Sequence, residues 1–439
     1  MALFYSDKIV KKSAKSTALR TFHIQDLDYQ GLGVAKADGK IWFVENALPN
    51  ERVEAKVIEE KRQYGRAQAV KFEQKSAIRQ TPDCVYYAKC GGCQMQHIPL
   101  ELQRNTKQKA LFQRLQKLQS KPIVQQPMII GEDKGYRRRA KLSIRFEKEQ
   151  PIIGFRQEQS QQVVEISHCA VLEPELSLLL SPLQQLFAQW KNKKQLGHIE
   201  LVQADNGTAM LLRHVGKLHP LDQNALMTFA EQQRMMLFVM SDKAQIEHWF
   251  GEQPYYQLNG LKLFFSIRDF IQVNRELNRK MVQTALDWLE LRPTDRVLDL
   301  FCGMGNFTLP LAQYAKSVVG IEGVEAMVEQ GRYNAQINGL SNVDFYRTNL
   351  DEPFANQPWA AESFDKVLLD PARNGALFAL EHLCRLAPER ILYVSCNPAT
   401  LVRDAEKLIQ QGYQLSRCAM IDMFPHTGHL ESISLFTKG

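Results

Sequence analysis

The chain has 439 residues, a net charge of +7 at neutral pH and eight cysteines. This length predicts two to three domains, each long enough to bury a core. The sequence lacks both the roughly 18 consecutive apolar residues of a membrane-spanning helix and the apolar region of a secretion signal. We therefore expect a soluble cytoplasmic protein. Cysteines in a reducing compartment rarely form disulfides, so each is a candidate for metal binding, catalysis or core packing.

The N-terminal part of the chain is rich in short β-prone runs. Residues 1–14 are predicted to be a flexible basic tail. Between 15 and 74, glycine turns separate the runs, which predicts a small five-stranded barrel of the oligonucleotide-binding kind. Trp42, Tyr64 and Arg66 are candidates for contacts to RNA bases or phosphates. Each is equally compatible with ordinary barrel surface or core.

Three cysteines, Cys84, Cys90 and Cys93, then follow in a C-x5-C-G-G-C arrangement. A closed metal site needs a fourth ligand, and Cys169 is the next cysteine in the chain. Thiolates hold either zinc or an iron-sulfur cluster. The spacing departs from the paired C-x2-C pattern of structural zinc, which favours a four-iron cluster. With no redox machinery beside it, such a cluster is expected to be structural or to shape an RNA-binding surface.

A mixed α and β domain is predicted between residues 75 and 265. It contains a polar helix at 95–119 and a hairpin around Asn206-Gly207. A basic run without any acid suggests a polyanion partner, although such runs are often a solvated face. Its members are Lys134, Arg137, Arg138, Arg139, Lys141 and Arg145. As a hypothesis, the basic strand near Arg137 to Lys141 and the barrel hold the RNA backbone while the target base is flipped out, so that replacing Arg137, Arg138 and Arg139 by alanine weakens RNA binding.

Residues 266–439 carry the pattern of a Rossmann-like α/β domain. A strand runs into a glycine turn with Gly303 and Gly305, and Thr308 stands where a dinucleotide fingerprint has its third glycine. Close backbone approach at the glycines and an acid at the end of the second strand, Glu322, suit S-adenosylmethionine, whose ribose hydroxyls would donate to the carboxylate. Asp370 ends a further strand at the same sheet edge.

Cys396 follows the short apolar run Leu392–Ser395 and precedes Asn397 and Pro398. A buried strand ending there leaves the thiol at the carboxyl edge of the sheet, where ligands bind in α/β folds. A nucleophile and a core cysteine are the alternatives for Cys396. Cys302, Cys384 and Cys418 have no metal-like neighbours in the sequence and are assigned to core packing.

Three segments together resemble the RNA uracil-5-methyltransferase family: Asp370 to Arg373, Ser395 to Pro398 and His429 to Ser432. The barrel, of the TRAM type, and the cysteines resemble the bacterial branch that methylates 23S ribosomal RNA at uridine 1939. This resemblance implies that Cys396 is the nucleophile and Glu431 the proton acceptor. It also implies a [4Fe-4S] cluster on Cys84, Cys90, Cys93 and Cys169. By the same resemblance, the methyl donor S-adenosylmethionine contacts Gln272, Phe301, Asn306, Glu322, Asn349 and Asp370.

The chemistry explains why a nucleophile and a base are needed. C5 of uracil is a poor nucleophile, but addition of the Cys396 thiolate to C6 gives an enolate that can take a methyl group at C5. Covalent attachment also fixes the reacting carbon beside the donor. A base, Glu431, must then remove the C5 proton before the thiolate is expelled. A surface carboxylate is the alternative interpretation of Glu431.

Other functions remain open at this point. Relatives that act on transfer RNA usually carry Asp-Pro-Pro-Arg where this chain has Ala372, which favours the ribosomal branch. Methylation of another ribosomal or transfer RNA uridine, methylation of cytosine, and a catalytically inactive iron-sulfur RNA-binding protein are the alternatives. We expect a monomer whose partner is 23S ribosomal RNA. His426 and His429 are left without a role.

Overall fold

The computed structural model describes residues 18–438 except 159, 243, 244, 353, 355 and 362. The basic tail predicted for residues 1–14 lies outside these described residues. Across the described part of the chain, no helix is long and apolar enough to cross a membrane. The described residues form three large sheets and a separate two-stranded hairpin.

The N-terminal sheet closes into a small barrel. Its strands are β1 (Leu19–His23), β2 (Asp26–Leu27), β3 (Gly33–Ala37), β4 (Lys40–Glu45), β5 (Arg52–Glu60) and β6 (Tyr64–Gln74). They pair in the order β1-β5-β6-β4-β3-β2. Two residues, Ile24 and Gln25, separate β1 from β2, so one stretch of chain pairs with β5 on one side and β3 on the other. The predicted barrel is present, with its first strand broken in two.

The barrel core is built around Trp42, which is fully buried and packs against Phe22 with ring centroids 5.0 Å apart. A Cβ atom at Gly65 would lie 2.3 Å from the Trp42 ring, so this position requires glycine. Of the alternatives for Trp42, the structure therefore selects barrel core, and the indole cannot stack on an RNA base. Arg66 pairs with Glu45 at 3.1 Å on the outside of the barrel.

Helix α1 (Leu100–Leu115) and strand β7 (Val124–Gln125) follow the cysteines in the chain. The helix predicted at 95–119 is confirmed, and a 3-10 turn at Gln116–Leu118 continues it. Although this segment falls within the central domain predicted from the sequence, it packs on the C-terminal sheet. Leu111, Leu115 and Ile123 belong to the same buried cluster as the C-terminal strands, and β7 extends their sheet.

A seven-stranded sheet covered by helices forms the middle of the chain. Its elements are β8 (Arg139–Glu147), β9 (Gln150–Arg156), β10 (Val163–Glu165), α2 (Pro174–Leu178), α3 (Leu180–Ala188), β11 (Leu196–Ala204), β12 (Gly207–His214), α4 (Pro220–Gln232), β13 (Met236–Met240) and β14 (Ile246–Phe250). The strand order is β10-β9-β8-β11-β12-β13-β14. The hairpin predicted around Asn206-Gly207 is confirmed, because Ala204 pairs with Gly207 across the turn.

The hairpin β15 (Tyr255–Leu258) and β16 (Leu261–Phe264) leads into the C-terminal domain. That domain contains α5 (Arg275–Leu289), β17 (Arg296–Leu300), α6 (Thr308–Ala312), β18 (Ser317–Glu322), α7 (Glu325–Ile337), β19 (Val343–Arg347), β20 (Lys366–Leu369), α8 (Leu377–Leu386), β21 (Arg390–Ser395), α9 (Pro398–Gln410), β22 (Tyr413–Ile421) and β23 (Glu431–Lys438). The amphipathic helix predicted at 275–290 is α5. Its side-chain cap is Asn274, which accepts a hydrogen bond from the Leu277 amide at 3.1 Å.

The C-terminal sheet has the order β19-β18-β17-β20-β21-β23-β22-β7. The first five of these strands are parallel, while β23 runs antiparallel between β21 and β22. A doubly wound α/β domain of this kind places ligands at the carboxyl ends of its parallel strands. Because β23 is antiparallel, its first residue lies at the same edge.

Candidate active site

Cys396 lies in a short turn between β21 and α9. The strand ends at Ser395, and the Asn397 side chain caps the helix by accepting a hydrogen bond from the Ala399 amide at 3.0 Å. Pro398 begins α9, where its fixed φ and missing amide hydrogen suit a first helical position. The Ser395 hydroxyl accepts from the Asn397 amide at 3.2 Å and tightens the turn. The strand end predicted before Cys396 is confirmed, and the thiol is partly exposed.

Glu431 is the first residue of β23 and lies beside this turn. Ser395 pairs with Ser432 in the sheet, so Cys396 and Glu431 occupy the next positions of two adjacent strands. Burial, followed by the charge of Asp370, raises the pKa of the Glu431 carboxyl to about 8. Burial also raises the pKa of Asp370 to about 7. Glu431 is 8% exposed, which excludes the surface carboxylate proposed as its alternative.

The thiol shares this environment. Burial, then the nearby Glu431 and Asp370 carboxyls, raises the pKa of Cys396 to about 11, while Arg373 acts in the opposite direction. Three acidic groups thus lie close enough to influence one another, and a cation, Arg373, lies at their exposed side. Perturbed groups gathered in a cleft are typical of catalytic sites.

A second group of residues lies along the same sheet edge. Phe301, Glu322, Asn349 and Asp370 end or follow four adjacent parallel strands, as Cys396 follows the fifth. The Glu322 carboxylate accepts from the Gly303 amide through Oε2 at 3.1 Å and from two amides of its own turn through Oε1. Oε2 keeps acceptor capacity for a hydroxyl of a ligand.

The glycine turn after β17 adopts left-handed backbone conformations. Phe301, Gly303 and Gly305 have φ values of 65°, 58° and 101°. A Cβ atom at Gly305 would lie 2.9 Å from the Leu309 side chain, so this residue also allows close packing of α6. Thr308 stands where a dinucleotide fingerprint has its third glycine. Its hydroxyl donates to the buried Asp299 carboxyl at 2.6 Å. This pair, which the sequence did not single out, ties the helix to the strand below the turn.

Asn306 and Gln272 reach the site from different directions. Asn306 exchanges two amide hydrogen bonds with Asn278 on α5, at 2.9 and 3.0 Å, and accepts from the Tyr256 hydroxyl at 2.9 Å. Its second amide hydrogen remains available to a ligand. Gln272 is buried in the segment before α5. In contrast, Asn349 is exposed and donates to Glu352 at 2.7 Å.

One residue of the basic run in the central domain, Arg138, does not face outward as the RNA-binding hypothesis requires. Arg138 is 1% exposed, lies 4.7 Å over the Tyr256 ring and donates through Nε to the Gln272 carbonyl. Arg139 donates to the Ile267 carbonyl at 2.7 Å and pairs with Glu200 at 3.1 Å. The prediction is therefore wrong for Arg138, which packs the central sheet against the C-terminal domain. Arg138 directly precedes β8 and lies on the same buried side as Ala140 and Leu142.

The four predicted metal ligands lie close enough for their thiols to influence one another electrostatically. Burial raises the pKa of Cys93 to about 12, and the neighbouring thiols of Cys169, Cys90 and Cys84 act in the same direction. The Gly91 amide donates to the Arg156 carbonyl at 3.1 Å, and a Cβ at Gly91 would lie 3.0 Å from that oxygen. The glycine therefore allows close approach of the cysteine-containing turn to the backbone at Arg156. Among the described residues, no group of three or more Cys, His, Asp or Glu side chains is arranged so that it could hold a metal ion.

A cleft of about 1250 Å³ connects these regions. It is lined by the barrel, the cysteine-containing turn and the catalytic edge of the C-terminal domain, including Cys396 and Arg373. Lys56 of the barrel and Lys89 of the cysteine-containing turn are exposed along it. The candidate nucleophile thus lines an open cleft that also borders the barrel.

Sequence reasoning missed the buried polar face of α1. Gln103 and Lys107 are fully buried, and the Lys107 ammonium pairs with Asp422 at 3.1 Å. Lys107 also acts on Glu431, whose pKa it lowers against the effect of burial. The signal was present, because these two residues continue the i, i+4 spacing of Leu111 and Leu115 on one helix face.

Comparison with known proteins identifies the family of the chain. Residues 100–439 match the family model described as tRNA (Uracil-5-)-methyltransferase, and residues 21–70 match the TRAM domain. The chain therefore belongs to the tRNA (uracil-5-)-methyltransferase family, and the resemblance inferred from its motifs is confirmed. The class of enzyme predicted, an RNA uracil-5 methyltransferase that uses S-adenosylmethionine, is confirmed with it.

Individual relatives are similar over their full length. The chain is 60% identical over 442 residues to the 23S rRNA (uracil(1939)-C(5))-methyltransferase RlmD of Haemophilus ducreyi, with 100% of both chains covered. It is 48% identical over 440 residues to the enzyme of the same name from Erwinia tasmaniensis, again covering 100% of both.

A solved structure supports the fold. The Pyrococcus abyssi tRNA (uracil-54, C5)-methyltransferase, in complex with S-adenosyl-L-homocysteine, has a TM-score of 0.73 and 24% sequence identity. The match covers 95% of this chain and 99% of that one. The predicted combination of a Rossmann-like methyltransferase domain and an N-terminal TRAM barrel is confirmed.

Proposed function

We propose that this protein methylates C5 of a uracil in 23S ribosomal RNA, at the position named for its relatives, uridine 1939. The observation that carries the proposal is the convergence of Cys396, Glu431 and Asp370 beside an open cleft that Cys396 lines. A thiol beside a buried carboxyl suits a reaction that begins with nucleophilic addition and ends with removal of a proton. The names of relatives with up to 60% identity support the ribosomal substrate.

In the first step Cys396, its proton lost to solvent through the open cleft, adds to C6 of the uracil. The new S–C6 bond pushes the C5–C6 π electrons into an enolate, whose density at C5 takes the methyl group. When bound, S-adenosylmethionine supplies that methyl group on a positively charged sulfur. Arg373, at the exposed side of the site, is placed to offset negative charge that develops on the base.

In the second step Glu431 takes the proton from C5. The electrons of the C5–H bond reform the C5–C6 double bond, and the S–C6 bond breaks to release the thiolate. A carboxyl with a pKa of about 8 is a stronger base than an ordinary glutamate once it is ionised. Its burial beside Cys396 also excludes water from the position where the proton is removed.

The donor is assigned to the other half of the sheet edge. We propose that Glu322 accepts from the ribose hydroxyls, and that Gln272, Phe301, Asn306, Asn349 and Asp370 line the remaining contacts. The free acceptor capacity of Glu322 and the free amide hydrogen of Asn306 fit this role. Asn349 fits once its side chain turns away from Glu352.

We also propose that Cys84, Cys90, Cys93 and Cys169 hold a [4Fe-4S] cluster. Support comes from their proximity, since the thiols of Cys84 and Cys169 help to raise the pKa of Cys90 and Cys93. Bound iron would supply the positive charge that keeps such buried thiols ionised. Iron and acid-labile sulfide should therefore be present in anaerobically purified protein and lost in Cys93→Ser, with Cys384→Ser as the control. Zinc without sulfide would reject the cluster.

The domains follow from these roles. We propose a barrel at 15–74, a central iron-sulfur and RNA-binding domain at 75–265 and a catalytic domain at 266–439, with α1 and β7 packed onto the last. The substrate places the protein in the cytoplasm, and we propose that it acts as a monomer because one chain supplies both Cys396 and Glu431.

A trapping experiment tests the proposed function. Glu431→Gln protein is incubated with S-adenosylmethionine and a 23S ribosomal RNA fragment that contains uridine 1939, and denaturing gels are searched for a protein–RNA adduct. The adduct should form, because the proton acceptor Glu431 is missing while the nucleophile Cys396 remains. It should not form in the double variant that also carries Cys396→Ala. Absence of an adduct despite measurable donor binding would reject the two proposed roles.

A further inference from the structure

The loop that leads to Glu431 contains a strained residue. We define the base loop as residues 422–430, between β22 and β23. Within it His426 is buried and has a φ of 64°, a left-handed conformation that is unfavourable for a residue with a side chain. Such a conformation persists when surrounding bonds determine it, and it often marks a functional constraint.

The bonds that hold His426 come from outside the base loop. Its amide donates to the Gln103 side-chain oxygen at 3.0 Å. Its carbonyl accepts from the amides of Gln94 and Met95 at 2.9 and 3.0 Å. Its ring nitrogen Nε2 lies 2.9 Å from a carboxylate oxygen of Asp133. Both backbone groups of His426 are therefore bound by distant parts of the chain.

Gln103 connects the two ends of this arrangement. Its side chain is fully buried in α1, and its amide nitrogen donates to the carbonyls of Met95 and Ile98 at 3.0 and 2.8 Å. We call residues 84–98, which contain Cys84, Cys90 and Cys93, the cysteine segment. The Gln103 side chain thus bonds both the base loop and the end of the cysteine segment. A buried amide engaged in this way cannot be lost without leaving backbone groups unpaired.

The rest of the base loop is packed tightly enough to transmit a shift. Asp422 is held by Lys107 and by Arg104, at 3.1 and 2.8 Å, and the Pro425 carbonyl accepts from a tyrosine hydroxyl at 3.1 Å. A Cβ atom at Gly428 would lie 3.1 Å from the backbone of the barrel residue Gln30. Glu431 follows His426 by five residues, so a displacement at His426 reaches the base.

We propose that Gln103 is a positioning residue for Glu431: it locks the base loop to the cysteine segment through His426 and so sets the carboxylate where it removes the C5 proton. The inference rests on the proposed function of Glu431 and Cys396. Cys396 itself is held separately, by the Ser395 and Asn397 turn. Disturbing Gln103 therefore affects proton removal and leaves nucleophilic addition intact.

The test uses Gln103→Met, which keeps the side-chain volume and removes the hydrogen bonds. The matched control is Gln113→Met, on the exposed face of the same helix. With the uridine 1939 fragment and radiolabelled S-adenosylmethionine, we expect turnover to fall by about a hundredfold, as for a displaced catalytic group. At the same time the covalent adduct carrying the transferred methyl should accumulate, while S-adenosylhomocysteine affinity stays unchanged.

The direction of the adduct signal separates positioning from general damage. A fall of adduct and turnover together, in Gln103→Met protein that still binds S-adenosylhomocysteine normally, would overturn the inference. An adduct in Glu431→Gln but not in Gln103→Met would overturn the inference alone, whereas no adduct in Glu431→Gln would reject the proposed function and the inference with it.

A second pair of variants guards against misfolding of Gln103→Met. His426→Gly and His426→Ala both remove the imidazole, but glycine tolerates the left-handed φ whereas alanine does not. We expect more trapped adduct in the alanine variant than in the glycine variant. Equal adduct in the two would contradict the claim that the backbone of His426 positions the base.

Discussion

The two halves of the site are built in different ways. The donor half, around Glu322, lies along the ends of the parallel strands, and backbone amides of nearby turns satisfy the Glu322 carboxylate. The acceptor half gathers Cys396, Glu431 and Asp370 from three strands and is closed by α1 and the base loop. Local hydrogen bonds stabilise the first, while the second contains acidic groups whose charges burial opposes. Binding and reactivity should therefore respond to different substitutions.

Glu322→Ala should have the largest effect on the donor half. Removal of the carboxylate deprives the ribose hydroxyls of a charged acceptor, and hydrogen bonds to charged groups contribute about 2 kcal/mol, or about thirtyfold in affinity. Calorimetry with S-adenosylhomocysteine measures this loss, and Glu329→Ala, exposed on α7, is the control. Alkylation of the Cys396 thiol should not change. A coupled loss of thiol reactivity would show that the two halves are not independent.

Glu431→Gln should have a smaller effect, a gain instead of a loss: it should raise the alkylation rate of the Cys396 thiol in the acceptor half. The Glu431 carboxylate raises the pKa of Cys396, and it is mostly ionised above its own pKa of about 8. At pH 9 the variant should therefore hold more thiolate and react with iodoacetamide several-fold faster, whereas at pH 6.5 the rates should converge.

The alkylated Cys396 peptide is quantified by mass spectrometry, which separates it from the other cysteines. Cys396→Ala gives the background. A slower reaction in Glu431→Gln at pH 9 would mean that the carboxylate assists ionisation of the thiol, contrary to the electrostatics of the unliganded site.

The difference between local and long-range contacts also explains which parts of the site could be predicted from the sequence. Strand ends, glycine turns and the proline after Cys396 are local signals, so the sheet edge carrying Glu322, Asp370 and Cys396 was predicted correctly. The base loop depends on contacts between His426 and Gln103, which are 323 positions apart in the chain. Long-range contacts of this kind leave no local pattern, although the spacing along α1 indicated that Gln103 faces inward.

Charge was the least reliable signal. The run from Lys134 to Arg145 looked like one basic face, yet a strand alternates between two faces. Arg138 lies inside, where its Nη atoms have no hydrogen-bond partner among the described residues and the guanidinium covers the Tyr256 ring. A sequence shows that a strand is basic but not whether its inner face packs against an aromatic ring.

The smallest predicted effects concern RNA held in the cleft. Each exposed lysine that contacts a phosphate releases a counterion, so Lys56→Ala and Lys89→Ala should each reduce the slope of log affinity against log salt by about 0.7 to 0.9. Binding should weaken only a few-fold at moderate salt. Lys217→Ala, exposed but not part of the cleft lining, should leave the slope unchanged.

Arg138→Gln sharpens this comparison. Because the guanidinium is buried, its loss should lower thermal stability without changing the salt slope. Filter binding of the uridine 1939 fragment from 50 to 300 mM salt measures the slopes. A reduced slope in Arg138→Gln, with none in Lys56→Ala or Lys89→Ala, would place the RNA on the central sheet instead of the cleft. The cleft is lined by both barrel residues and Cys396, which is why we expect its lysines to control binding.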